Sequence, residues 1–359
     1  MKKLLIGIIS LTLVMSTIVF GDEIVEFLDL NSLGDVAVEN SLTIDSKALT
    51  LENKKLDLEE VEDEIFNASQ TGGDRVTYIK NQIKIQSDPI VAAMEVWKAE
   101  KALEKTATDL ENDVYKKGME YLLLQEELAL NEILLENLNY YLSNMEIKVS
   151  KGVATSTDLV NKKIEVQSQE MKVIELEASL QALIIEINHL IGNTLDAPLN
   201  LEDEIKAMNF TSFDVEKMYA ENQSEYPAIY EKTVLLESKT IEFNLYASKY
   251  LEENKEYKLA LYDQMIAEIN LNDAMKSYEV ALKTAYNKYL NTHDSYVLSQ
   301  KQLELNEKLY EETELRYELG LVNEEDLRKA EESKLKAEYA VIESIVSYNS
   351  ARIDLINLK

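Results

Sequence analysis

The stretch KGVATSTDLV at residues 151–160 returns in altered form as LGLVNEEDLR at residues 319–328. Both stretches contain a glycine, Gly152 or Gly320, followed six residues later by an aspartate and a leucine. Glycine readily adopts the left-handed backbone conformation that ends many helices. The repeated stretch therefore predicts two tight turns, each at the end of a helix.

The residues after each glycine suit the start of a new helix. Thr155 and Asn323, three residues after the glycines, are favourable N-cap residues. Asp158 and Asp326 then fall at the third helical position, where a carboxylate can complete a capping box and interact favourably with the helix N-terminus. Each turn is thus predicted to be the tip of an antiparallel helical hairpin, and capping alone would explain both aspartates.

Long helices are predicted around both tips. The stretches 90–150 and 257–318 contain no proline and carry apolar residues at helical spacing, and shorter helices are predicted near 46–66 and 227–250. Apolar residues every seven positions mark the helix after each turn and the helix before the second turn, which predicts packing seams. The main heptad positions are Leu159, Val166, Val173, Leu180 and Ile187; Leu327, Val341, Tyr348 and Leu355, with small Ala330, Ala337 and Ala351 in the adjacent row; and Leu282, Tyr289, Tyr296, Leu303, Tyr310 and Tyr317.

The composition excludes several classes of function. The chain has 37 Lys and Arg against 67 Asp and Glu, a net charge of −30, so nucleic acid is not an expected partner. It has no cysteine, and His189 and His293 stand singly without metal-ligand spacing. We therefore predict a protein that is not an enzyme and has no catalytic, cofactor-binding or metal site. The excess of carboxylates is explained either by a solvated outer face or by an acidic lumen.

The N-terminus predicts export. Two lysines, an apolar run and the small residues before the acidic segment form a secretory signal over residues 1–21, with cleavage after Gly21. A retained N-terminal anchor is the alternative. No other segment is apolar for the roughly 18 residues that a spanning helix requires, so the mature chain is expected to contain no membrane helix.

Taken together, these features resemble the TolC-like outer-membrane efflux channel family. The resemblance is carried by LxLxxxxxxAxENS at residues 28–41, by the two GxxxxxDL tip motifs, and by the spacing of apolar and polar positions in the last helix, namely Leu335, Tyr339, Ile342, Val346 and Asn349. It covers nearly the whole mature chain, with a first repeat at 22–200 and a second at 201–359. The implied fold is all-α, with two tandem repeats of long antiparallel coiled-coil hairpins and little or no β-structure.

The resemblance also implies an assembly. Three protomers of the family, each with two hairpins, form a twelve-helix tube whose tips meet a periplasmic adaptor linked to an inner-membrane pump. The tip turns of this chain (Gly152, Thr155, Asp158, Gly320, Asn323, Asp326) would dock the adaptor, which would join the tube to an ABC or proton-driven pump. Tyr317 falls where the family has a tyrosine that reaches a tip carboxylate, here Asp158, and Asp326 falls at the acidic constriction. Val322 stands where some members have a basic residue, which argues against a tight latch.

The chain departs from the family between its short and long helices. Family members insert two membrane strands there in each half, whereas this chain offers only the fragments RVTYI and QIKIQ within 67–89, and LEENKEY near 251–256. Because membrane strands need about 9–11 residues, we expect helical or loop connections at both places. Two functions remain open: an exported envelope conduit that docks an adaptor, or a coiled-coil structural protein of the envelope without transport activity.

Overall fold

The computed structural model describes residues 29–70, 73–201 and 203–358, most of which are helical. No residue in these ranges lies in a β-strand, and Leu201 alone forms an isolated bridge. The signal sequence, its cleavage site and Leu28 of the early motif lie outside the described residues. The helices are α1 Leu30–Glu39, α2 Leu42–Gln70, α3 Arg75–Gln86, α4 Asp88–Ser150, α5 Ser156–Leu190, α6 Val215–Asn222, α7 Pro227–Ala247, α8 Lys255–Glu318 and α9 Glu324–Ile356.

The two predicted hairpins are confirmed. Helices α4 and α8 contain 63 and 64 residues, so each is about 95 Å long at 1.5 Å per residue. Each is followed by a short turn and a shorter antiparallel partner, α5 or α9, which packs against it. Proline occurs at the start of α4 and α7, where its missing N–H costs no helical hydrogen bond.

The hairpins are held together by the heptad positions. In α5 the side chains of Val166, Leu176, Leu183 and Ile187 are buried, and in α9 the small Ala330 is buried in the same way. Ala337 and Ala351 are also buried, and a 2.7 Å contact joins the Ser299 and Ser344 hydroxyls. Small residues allow close approach of α8 and α9, as predicted.

The four long helices lie side by side. Helix α5 packs on α4, α4 lies against α9, and α9 packs on α8, which gives the order α5, α4, α9, α8. The end of α5 meets the start of α2, because Asn40 Nδ2 donates a 2.9 Å hydrogen bond to the Ile191 carbonyl. Helix α7 packs on α8 and α4. The short helices thus extend the layer away from the tips.

A segment that we call the strap, residues 191–214, crosses one face of this layer between α5 and α6. Its Leu199 and Leu201 pack in a core with α1 and α4, where Gly118 leaves room: a Cβ there would lie 2.5 Å from a Leu30 methyl carbon. Farther along, Met208 N–H donates to Asn349 of α9, and the backbone of Thr211 bonds Tyr289 of α8. The strap therefore fixes the two hairpins relative to each other.

Tyr289 is at the centre of the second core. Its side chain is fully buried, and its ring lies 5.5 to 5.7 Å from those of Phe210, Phe213 and Tyr348. Its hydroxyl accepts from the Thr211 N–H and donates to the Thr211 carbonyl, both at 3.0 Å. This part of the tyrosine stripe is therefore a packing seam.

Where they are described, the connections away from the tips are helical or loops, as expected for 67–89 and 251–256. The fragments RVTYI and QIKIQ are not strands but the two halves of α3, whose first turn is capped by Asp74 accepting from the Thr77 N–H at 2.8 Å. The α7–α8 connection is a short turn. None of the helices in the described ranges has a stretch both long enough and apolar enough to cross a membrane.

Candidate functional site at the hairpin tips

Both tips end their long helices in the same way. Gly152 and Gly320 have φ of +72° and +70°, the left-handed conformation predicted from the sequence. At each tip the N–H after the glycine reaches back to a carbonyl five residues earlier: Val153 to Lys148 at 3.0 Å, and Leu321 to Arg316 at 2.8 Å. This is the Schellman pattern of a glycine-terminated helix.

Both predicted capping boxes are also present. Thr155 Oγ1 accepts from the Asp158 N–H at 3.2 Å, and the Asp158 carboxylate accepts from the Thr155 N–H at 2.9 Å. Asn323 and Asp326 make the same pair of bonds at 3.0 and 3.3 Å. The donating Thr155 N–H lowers the pKa of Asp158, which therefore stays ionised as a cap.

The surfaces of the tips are open and apolar. Val153, Leu319 and Leu321 have exposed fractions of 73%, 66% and 67%. A Cβ added to Gly152 or Gly320 would meet no atom within 4 Å. The tips thus carry large apolar side chains that nothing in the described part of the chain covers, which is typical of an interaction surface.

The predicted gate contact is not formed within one chain. Tyr317 is 39% exposed, and its hydroxyl makes no hydrogen bond to Asp158. Asp158, the predicted partner of Tyr317, and Asp326, at the predicted constriction, use their carboxylates in the capping boxes of α5 and α9.

A contact between the two hairpins lies close above the tips and was not predicted. Arg328 of α9 donates to Asn137 Oδ1 of α4 at 2.8 Å, is held by Glu324, and stacks over the Tyr140 ring at 4.4 Å. Only the Glu324–Arg328 pair, four residues apart on one helix, is visible in the sequence. The partner on α4 is 191 residues away, and no local pattern identifies it.

The interface between α4 and α9 continues as polar contacts. Tyr141 OH donates to Glu332 at 2.9 Å, and burial together with this carboxylate raises the pKa of Tyr141. Asn137 is 2% exposed, yet its Nδ2 has no hydrogen-bond partner within the described ranges. Farther from the tips, Lys116 pairs with Asp354. These polar groups thus join the two hairpins at several heights along the α4–α9 interface.

The outer members of the layer, α5 and α8, carry apolar residues that face solvent in a single chain. Those of α5 are Val160, Ile164, Met171 and Ile174, and those of the tip half of α8 are Leu298, Leu305, Leu309 and Leu315. Exposures range from 52% to 66% across both sets. Except for the six residues between Leu309 and Leu315, the spacing is three, four or seven residues, which places each set mostly along one side of its helix.

The two exposed edges match in height. Ile174 lies 22 residues after Gly152, and Leu298 lies 22 residues before Gly320, which places both about 33 Å from the tips. Ile164 and Leu309 also correspond, at 12 and 11 residues from their glycines. An α5 edge of one copy and an α8 edge of another can therefore pair in register.

The remaining singled-out residues are packing or surface residues. Trp97 of α4 packs on Tyr230 of α7 with ring centroids 4.1 Å apart. His293 lies against the Phe210 ring at 4.2 Å, and His189 is exposed. Among the described residues, no group of three or more His, Asp or Glu side chains is placed to hold a metal ion.

Comparisons with known proteins show a similarity of fold but not of sequence. No protein-family model matches the sequence, and no characterised protein matches it significantly. Solved structures that the chain resembles include the outer-membrane protein VceC of Vibrio cholerae, with a TM-score of 0.63, 12% identity, and coverage of 92% of this chain and 95% of that one. The CmeC channel of Campylobacter jejuni has a TM-score of 0.62 and 12% identity, with coverage of 92% of this chain and 85% of that one. The open MtrE channel of Neisseria gonorrhoeae has a TM-score of 0.63 and 13% identity, with coverage of 92% of this chain and 88% of that one. This chain therefore has the helical fold of TolC-family outer-membrane efflux channels.

Proposed function

We propose that this chain is an exported component of an efflux or export assembly of the cell envelope, in which three copies form a helical conduit. The observation that carries the proposal is the pair of unpartnered apolar edges, on α5 and α8, that match in height above the tips. Edges of this kind on opposite sides of one layer favour a head-to-tail ring of copies. Three copies of the four-helix layer give the twelve-helix tube implied by the family resemblance.

The short helices support the same arrangement. Helix α2 continues the α5 edge and exposes Leu42, Leu49 and Leu56 at heptad spacing. The matching half of α8 exposes Ile266 and Val280. Counted from the tips, Leu42 and Val280 lie at about the same height, roughly 60 Å. The proposed pairing of edges between copies therefore extends beyond α5 and along α2.

The tips are the surface that we assign to the adaptor. They hold the left-handed glycines, the two capping boxes and the uncovered Val153, Leu319 and Leu321. The adaptor would join the tube to an inner-membrane ABC or proton-driven pump. We also propose that the chain consists of two repeats, which meet between residues 200 and 201. The signal sequence would be cleaved after Gly21 on export.

Opening of the tube end would require the hairpins to move apart. Near the tips, the polar α4–α9 contact, with Arg328 on Asn137 and Tyr141 on Glu332, would resist this movement. Tyr317 of one copy would complete the closed end on Asp158 of a neighbour. Asp326 would narrow the same opening, as the resemblance implies.

Valine at both tip glycines tests the conduit proposal. We expect G152V/G320V to abolish pull-down of a periplasmic adaptor protein, because L-residues strain the left-handed turn by about 1–2 kcal/mol each and a branched side chain blocks close backbone approach. Far-UV circular dichroism should remain close to that of the unchanged chain, since nothing else lies near the two positions.

The matched control is G152N/G320N, because asparagine tolerates the left-handed region and preserves the turn. It should retain more adaptor than the valine variant. Unchanged pull-down by G152V/G320V would favour the alternative function, a coiled-coil structural protein of the envelope that has kept this scaffold without transport.

A further inference from the structure

The two tips differ in charge although their backbones are alike. Within ten residues of Gly152 there are three lysines and two carboxylates, a net charge of +1. Within ten residues of Gly320 there are seven carboxylates and three basic residues, a net charge of −4. In a ring of copies, tips of these two kinds would alternate.

The second tip also offers more apolar surface to a partner. Leu319 and Leu321 stand on either side of Gly320 at 66% and 67% exposure, whereas Gly152 is flanked by Lys151 and Val153. Burying two leucines contributes more to binding than burying one valine. Apolar contact therefore favours the second tip independently of its charge.

Part of the charge at the second tip is free to act on a partner. Glu311 and Glu318 are exposed and form no ion pair with any described residue. Other carboxylates nearby are already engaged: Glu324 is held by Arg328, and Asp326 caps α9. Free carboxylates beside uncovered leucines complement a surface that carries cations beside apolar groups.

We infer that the adaptor is bound mainly by the second hairpin tip, through a segment in which lysine or arginine flanks apolar side chains. The first tip, with the opposite charge, contributes little. This inference rests on the proposed docking function. It predicts two unequal classes of docking site around the ring, although the chain repeats the same turn.

The test compares affinities of the purified adaptor from the pull-down for three variants of the full mature chain. E311Q/E318Q removes the free charge of the second tip. K151Q removes an exposed lysine of the first tip that forms no ion pair with any described residue, whereas Lys148 is left in place because it pairs with Glu325 of the second tip. E252Q/E253Q removes two negative charges, as the first variant does, but from the exposed α7–α8 turn at the other end. None of these side chains is buried or caps a helix, so circular dichroism should be unchanged.

We expect E311Q/E318Q to weaken binding about fivefold at low salt, with a smaller effect at high salt, because exposed ion pairs are modest and screened. The other two variants should change the affinity less than twofold. Equal weakening by either of them, or none by E311Q/E318Q, would overturn the inference while leaving docking intact. Failure of the unchanged chain to bind would instead refute the proposed docking function, and this inference with it.

Discussion

Replacing Tyr289 with alanine should lower the free energy of unfolding by about 3–5 kcal/mol. The side chain is fully buried among Phe210, Phe213 and Tyr348, so truncation leaves a cavity that the surrounding rings cannot fill. It also leaves the Thr211 N–H and carbonyl without the hydroxyl that bonds both. Denaturant unfolding at a fixed protein concentration, followed by circular dichroism, measures the loss.

Tyr317 provides the control on the same heptad stripe. Because Tyr317 is 39% exposed and its hydroxyl makes no hydrogen bond within the described ranges, Tyr317→Ala should change the free energy of unfolding by no more than about 0.5 kcal/mol. A loss below about 1 kcal/mol for Tyr289→Ala would mean that the strap does not hold the second hairpin in the way described.

The second large effect is expected at the edges. Ile174→Asp and Leu298→Asp should each convert the assembled protein to single chains, because a carboxylate buried in an apolar seam without a partner is strongly unfavourable. In a single chain these positions are 62% and 66% exposed, so the fold of the chain itself should survive. Light scattering gives the mass, and circular dichroism confirms the helical content.

Leu251→Asp is the matched control for the edge variants. Leu251 is 74% exposed in the α7–α8 turn and lies on neither edge, so this variant should retain the mass of the unchanged protein. An unchanged mass for both edge variants, with the original chain assembled, would show that copies meet through another surface.

The sequence was most informative where structure is local. The turn at Gly152, the cap at Thr155 and the capping box closed by Asp158 each depend on residues within six positions, and all were predicted correctly. The heptad rows were also predicted correctly over most of their length, because residues seven apart on one helix share a face, although Tyr317 at the tip end of the α8 row is exposed. The order of the four long helices and of α2 and α7 followed from these features and from the scarcity of glycine and proline, whereas the short helices α1 and α6 were not predicted.

Contacts between distant segments were not predictable in the same way. Nothing near Arg328 indicates that it would bond Asn137 across the hairpin interface, and nothing near Tyr289 indicates that the strap would cover it. Likewise, RVTYI and QIKIQ have the composition of strands, but in α3 they are packed against α2, α4 and α7. Tertiary packing there overrides local propensity.

Cysteine cross-linking tests the pairing of the two edges most directly, because the chain has no cysteine of its own. Ile174 and Leu298 lie at equal heights on opposite sides of one layer, so a disulfide between them must join two copies. Under oxidation, I174C/L298C should yield covalent species of two and three copies and none larger, since a closed ring of three has no free edge. In the control E175C/L298C, the cysteine of α5 is moved by one residue and so lies on another face of the helix. This control should cross-link far less. An absence of cross-links in I174C/L298C, or a ladder that continues beyond three copies, would contradict the three-copy conduit.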